Sequence, residues 1–199
     1  MDNPISKFES WWQEALAESP LQQKSAVCVS TIDENGFPAG RFVDLKSVSD
    51  SGFVFCTYFN SAKGKHIARE PKTAMTIWWD HVGYQIRVVG SAQVIPDAEA
   101  DCFWHSRSRS AQVITTAFEQ SEVLISESDL MTRLEAASTQ FADRPVSRPN
   151  NWGGYRIEPI SIEFLTFQES RLHLRELFEF KNNGWLKQQI GRASCRGRV

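Results

Sequence analysis

Phe8, Trp11, Trp12, Ala15 and Leu16 recur at i, i+3, i+4, i+7 and i+8, so residues 4–18 predict an amphipathic helix. The period then shortens. Residues 25–32 read as a β-strand, and Asp33-Glu34-Asn35-Gly36 supplies a hairpin turn in which glycine takes the positive φ. Residues 41–48 predict the partner strand, and Asp50-Ser51-Gly52 turns the chain into a third strand over 53–58. A helix is expected over 61–70, stopped by Pro71, followed by strands over 72–79 and 84–95. Short strands joined by tight turns at this spacing predict a closed antiparallel barrel or a sandwich.

From Asp97 the pattern becomes helical over 97–106, 109–118 and 127–142, read as an insertion on the β-structure. Residues 143–151, with Pro145 and Pro149, read as a loop. Strand patterns return at 153–158, 161–168, 172–181 and 184–189. Residues 1–190 therefore predict one domain. Residues 191–199 form an irregular tail with neither period nor packing residues, and are set aside from fold reasoning.

Composition narrows the class. The 199 residues are 41% hydrophobic and 23% charged, enough to bury a full core. A net charge of −2 argues against a general nucleic-acid binder. Cys28, Cys56, Cys102 and Cys195 stand singly, which predicts reduced thiols rather than a metal site. No stretch approaches the length of a membrane span, and the start Met1-Asp2-Asn3-Pro4 lacks a basic and apolar leader, so a cytoplasmic protein without a membrane partner is expected.

Two segments carry unusual charge. Arg171, His173 and Arg175 share one face of an expected strand, and Arg41 shares another with Val43 and Leu45 while Lys46 points away. Cations in a half-buried row need an anion, or else mark a solvated edge protected by charge; residue spacing leaves both open. Gln85 sits inside an apolar run, which predicts a hydrogen-bonded role. Lys63 by itself reads as a solvated helix lysine. His66, His81 and His105 read as structural, and Trp11, Trp12, Trp78, Trp79 and Trp104 as core or interface.

Motifs in sequence order add what spacing leaves open. They include Phe8-x-x-Trp11, Arg41-x-Val43-x-Leu45-Lys46, Gly52-Phe53-Val54-Phe55-x-Thr57, Ser61-x-Lys63 and Gln85-Ile86-x-Val88-x-Gly90. His105-Ser106-Arg107-x-Arg109, Gln120-Ser121, Trp152-Gly153-Gly154-Tyr155-Arg156, Ile162-Glu163-Phe164 and Arg171-Leu172-His173-x-Arg175 follow. Together they resemble the pyridoxamine 5′-phosphate oxidase family of FMN-dependent flavoenzymes, from about Asn3 to Ile190. The resemblance implies a mainly β fold with peripheral helices, an antiparallel Greek-key split barrel, paired as a homodimer with FMN at the subunit interface.

It also implies residue roles. Arg41 and Lys63 would hold the FMN phosphate, with Ser61 at a helix start beside them, a chemically apt set for a dianion. The run Phe42, Val43, Asp44, Leu45 and Lys46, together with Cys56, Thr57, Ala62, Gln85, Gln120, Ser121, Leu165 and Arg175, would line the cofactor. On the substrate side, Lys46 and Arg107 would hold a phosphate in a pocket that includes Phe103 and Ala111, and Arg171 and His173 would be the catalytic pair over the reacting carbon. The implied reaction oxidises pyridoxine or pyridoxamine 5′-phosphate to pyridoxal 5′-phosphate with O2, releasing H2O2. The chain departs from the family pattern: Phe103 replaces a usual Tyr, Ala111 a Ser, Ala62 an Arg, Cys56 a Tyr and Leu165 a Trp. Losing two substrate-side hydroxyls opens two alternatives. One is a related flavin oxidase of the phenazine-biosynthesis type acting on another aromatic or heterocyclic substrate; the other is a non-catalytic flavin- or pyridoxal-phosphate-binding protein.

Overall fold

Along β1 (Ala26–Ile32) buried and half-buried positions alternate, and Val27, Val29 and Thr31 turn inward. The same two-residue period runs through β4 (Lys72–Trp79), where Thr73, Met75, Ile77 and Trp79 are buried. A computed structural model describes residues 3–118, 120–121, 126–168 and 173–191. With β2 (Pro38–Ser49), β3 (Gly52–Tyr58), β5 (Tyr84–Val94), β6 (Trp152–Thr166), β7 (Leu174–Lys181) and β8 (Gly184–Gln189), these strands form one antiparallel sheet. The order is β3-β2-β1-β4-β5-β6-β7-β8, and β3 also pairs with β6. That last pairing closes six strands into a barrel, and β7 and β8 extend the sheet beyond it. Because β4 returns to lie beside β1 after the β1-β2-β3 meander, the connection is a Greek key, as expected.

The long strand β6 corrects the sequence reading. The sequence predicts separate strands over 153–158 and 161–168; the structure has one strand, Trp152–Thr166, that runs through Pro159. Val89 pairs with Ser161 and Gly90 with Pro159, so Ile160 is the extra residue of a β-bulge. A proline without an N–H is tolerated at such a point. Gly90 is required opposite it, because a Cβ would overlap the Glu158 carbonyl oxygen. Elsewhere β2 starts at Pro38, ahead of the expected residue 41, and β7 starts at Leu174, after the expected 172. Arg171, Leu172 and the tail 192–199 lie outside the described residues.

Helix α1 (Pro4–Glu18) begins where Asn3 accepts from the Ile5 N–H and Pro4 takes the first helical position. Its apolar face packs on the barrel: Phe8 is fully buried against Phe53 with ring centroids 4.8 Å apart, and Trp11 stacks on Tyr84 at 3.9 Å. Helix α2 (Ala62–Arg69) follows β3. Helices α3 (Asp97–His105), α4 (Arg109–Ala117) and α5 (Glu127–Gln140) are inserted between β5 and β6, as the change of period predicted. They build a second apolar cluster from Tyr58, Trp104, Val113, Ala137, Val146 and Trp152. Arg148 ties α3 to the loop before β6 through Asp97 and Asp101, and Arg156 on β6 pairs with Glu99.

Candidate functional site

The turn from β3 into α2 gathers the densest polar cluster. Ser61 caps α2, its Oγ accepting from the Gly64 N–H at 3.3 Å and donating to the Tyr58 carbonyl at 2.7 Å. Gly64 lets the helix start lie against the turn, since a Cβ there would overlap the Phe59 carbonyl. Lys63 is only 6% exposed. Its Nζ donates to Thr57 Oγ1 and to Gln120 Oε1, each at 3.1 Å, and Thr57 Oγ1 donates to Gln120 Oε1 at 2.9 Å. Ala62 N donates to Ser121 Oγ at 3.4 Å, and Ser121 is held at φ 75, in the left-handed region. The structure thus brings Thr57, Ser61, Ala62, Lys63, Gln120 and Ser121 together.

Burial, and then the nearby Arg41 charge, lower the Lys63 pKa to about 8. Both of its hydrogen-bond partners are neutral, and among the described residues no carboxylate forms an ion pair with it. Arg41 turns to the barrel side of β2, donating to the Val29 carbonyl at 3.2 Å and to Thr31 Oγ1 at 2.7 Å; burial lowers its pKa too. Two cations in low dielectric beside a helix N-terminus, without an acidic partner among the described residues, are suited to an anion with dense charge. The solvated-lysine reading of Lys63 does not hold. A residue set aside in the sequence also joins the cluster: His66 Nδ1 lies 3.0 Å from Thr31 Oγ1. The available signal was Thr31 itself, a hydroxyl on the apolar inward face of β1 that needs partners.

A second group gathers where β2 and β3 meet α3 and α4. Burial pushes the Cys56 thiol up to about 11; the charges of Lys46 and Arg107 pull it down, while Glu99 and Asp44 raise it. Lys46 forms an ion pair with Asp44, two residues earlier on the same outward face of β2. Phe42, on that face too, is 76% exposed; Val43 packs against the barrel core and Leu45 is buried in it. Arg107 donates to Thr115 Oγ1 at 2.8 Å and to the Ala111 carbonyl at 3.3 Å. Its guanidinium lies over the Trp152 and Trp104 rings at 5.4 and 5.8 Å, and its buried Nε has no hydrogen-bond partner among the described residues. Phe103 packs between the Trp104 cluster and Val54, Ile95 and Ala100.

The third group lies across β5, β6 and β7. Gln85 pairs with Leu165, and Leu165 with Arg175, so the three share one face of the sheet. Arg175 is not an uncompensated cation: Glu163, 7% exposed at its side chain, lies 3.6 Å from Arg175 Nε and 3.2 Å from Arg87. His173 precedes β7, and its Nδ1 accepts from the Gln168 N–H at 3.1 Å. Arg171 lies outside the described residues. Thr57 neighbours Gly153 near the start of β6, whereas Arg175 neighbours Leu165 near its end. No hydrogen bond or ion pair among the described residues links this third group to the Lys63 cluster.

Comparison with known proteins fits this layout. The pattern of the family described as pyridoxamine 5′-phosphate oxidase matches residues 13–141, and that of the pyridoxine 5′-phosphate oxidase C-terminal dimerisation region matches residues 152–190. The chain is 35% identical over 189 residues to the pyridoxine/pyridoxamine 5′-phosphate oxidase of Synechocystis, covering 95% of this chain and 88% of the relative. Its fold superposes on PhzG from Burkholderia lata, solved with tetrahydrophenazine-1-carboxylic acid, at a TM-score of 0.89 and 26% identity, covering 96% and 93% of the two chains. A pyridoxamine 5′-phosphate oxidase-related, FMN-binding protein from Nostoc punctiforme shares the fold at a TM-score of 0.78 and 17% identity, covering 96% and 99%. With a split barrel of this topology and matches spanning both ends of the chain, the protein belongs to the pyridoxamine 5′-phosphate oxidase family of oxidoreductases.

Proposed function

We propose that the protein is an FMN-dependent oxidase converting pyridoxine or pyridoxamine 5′-phosphate to pyridoxal 5′-phosphate with O2, releasing H2O2. The observation that carries the reading is Lys63: a buried ammonium with neutral partners, beside Arg41 and at the capped start of α2. That cradle fits a phosphate monoester such as the one FMN carries. Thr57, Gln120 and Ser121 supply hydrogen bonds around it. FMN held by these residues would supply the two-electron acceptor for the substrate's oxidation, with O2 as the final oxidant.

The chain's own residues bind and orient. Lys46 and Arg107, both close enough to act on Cys56, receive the substrate phosphate. Gln85, Leu165 and Arg175 on the β5–β7 surface would line the flavin, and His173 and Arg171 would be the catalytic pair, as the family resemblance implies. The two surfaces meet in a homodimer, each site drawing on both protomers. Supporting this are the dimerisation-region match over 152–190 and the exposed Trp78 and Val89 beside that surface.

A second reading has its own support. Phe103 and Ala111 lack hydroxyls, Asp44 already engages Lys46, and the PhzG likeness is high. It makes the substrate an aromatic acid without phosphate. Oxygen uptake by FMN-loaded protein separates the two. Turnover of pyridoxine 5′-phosphate at micromolar concentration supports the first reading, and silence with it alongside turnover of a dihydro-aromatic carboxylic acid supports the second. Silence with both, from a flavin-loaded protein, contradicts the assignment as an oxidase of either kind.

A further inference from the structure

At the head of α2 a cavity of about 290 Å³ joins Ala62, Gln120 and Ser121 to Lys65, His66 and Glu34, which the residue roles above do not use. Ala62, Lys65 and His66 stand at i, i+3 and i+4, one face of the helix, and all three border it with Gln120 and Ser121. Glu34 is the acid on its wall among the described residues. Ala62 offers no polar side chain at the position nearest the helix start, so any side-chain donor on this face comes from one turn further on.

His66 is tied to Arg41 through a buried hydroxyl. Arg41 lies 2.7 Å from Thr31 Oγ1, and Thr31 Oγ1 lies 3.0 Å from His66 Nδ1; Thr31 is fully buried. A guanidinium can only donate, so the Thr31 oxygen accepts from Arg41, and among the described residues His66 Nδ1 is the acceptor within reach of the single hydrogen of this buried hydroxyl. With Nδ1 as the acceptor, the N–H of the ring is at Nε2. In that arrangement the imidazole offers an N–H donor from a residue that borders the cavity.

We propose that His66 is a phosphate-binding residue of this cavity, and that Thr31 couples it to Arg41 so that the two act on the anion as one unit. The inference rests on the flavin reading and adds His66 and Thr31 to its phosphate end. One hydrogen bond from a fixed donor to a phosphate corresponds to about a tenfold change in affinity or more.

Titration of the flavin-free protein with FMN and with riboflavin, which lacks the phosphate, followed by flavin fluorescence, tests it. The wild type binds FMN more tightly than riboflavin. His66→Leu loses about tenfold or more for FMN while riboflavin changes by less than about twofold. Thr31→Val loses FMN affinity in the same selective way, and His66→Gln, whose amide can accept from Thr31 and still donate, recovers most of the loss. Equal weakening of both flavins by His66→Leu marks a structural residue and overturns the proposal, as does an unchanged FMN affinity. A wild type that binds neither flavin, or both alike, removes the flavin-phosphate reading itself, a result separate from any variant.

Discussion

Lys63 Nζ donates to Gln120 Oε1 at 3.1 Å, joining the first turn of α2 to the segment after α4. The acceptor is neutral, so the bond positions the ammonium without compensating its charge. A folded chain that keeps such a group dry loses stability by doing so, and recovers it when an anion arrives.

That gives two opposite effects of one substitution. Lys63→Met removes the desolvated charge and keeps most of the volume, so the flavin-free protein becomes more stable by about 1–3 kcal/mol. The same change weakens FMN binding by about tenfold to a hundredfold. Thermal unfolding without flavin and a fluorescence titration with it read the two effects separately.

The pH dependence follows from the same group. Lys63 has a pKa of about 8 in the folded protein against an ordinary 10.5, so between these values the unfolded chain holds the extra proton. Stability of the flavin-free protein therefore gains a contribution from this group as pH rises through that window. FMN affinity moves the other way: Lys63 leaves it unchanged just below about pH 8 and lowers it above, because binding must then recruit a proton to Lys63. FMN titrations across the window show this decline in the wild type, and Lys63→Met lacks it.

Asp44 competes for Lys46. The pair is partly exposed, with side-chain exposures of 49% and 28%, so it is worth at most about 1 kcal/mol. Asp44→Asn frees the ammonium and lowers the KM for pyridoxine 5′-phosphate by up to about fivefold, with kcat little changed. Steady-state kinetics in low and high salt check it, since the gain shrinks as salt rises.

Restoring the missing hydroxyls is the complementary change. Phe103→Tyr with Ala111→Ser raises kcat/KM for a phosphate-bearing substrate by about tenfold to a few hundredfold if both donors reach the anion. Kinetics of the double variant against each single one show whether the two gains add.

Much of this architecture is legible in the residues, and the exceptions have physical causes. The two-residue period of Val27, Val29 and Thr31, and the helical period of Phe8, Trp11 and Trp12, follow from local geometry. The expected strands 153–158 and 161–168 leave a gap that holds Pro159; only the partner strand shows that Gly90 and a bulge carry one strand through it. Family motifs gave Lys63 to the cofactor phosphate and Thr57 and Gln120 to the cofactor lining, and the fold brings the three within hydrogen-bonding distance of one another. The Arg41–Thr31–His66 chain was not legible, because it joins β2, β1 and α2 through side chains with no fixed spacing. Nor was the internal partner of Arg175: Glu163 sits on a neighbouring strand, and its burial comes from tertiary packing.

The most direct test of the account is anaerobic mixing of FMN-loaded protein with pyridoxine 5′-phosphate, following the flavin's long-wavelength absorption band. The account predicts bleaching of that band, formation of pyridoxal 5′-phosphate in equal amount, and return of the band when O2 is admitted. A band that stays unchanged, in protein shown to hold FMN and to bind the substrate, would contradict it.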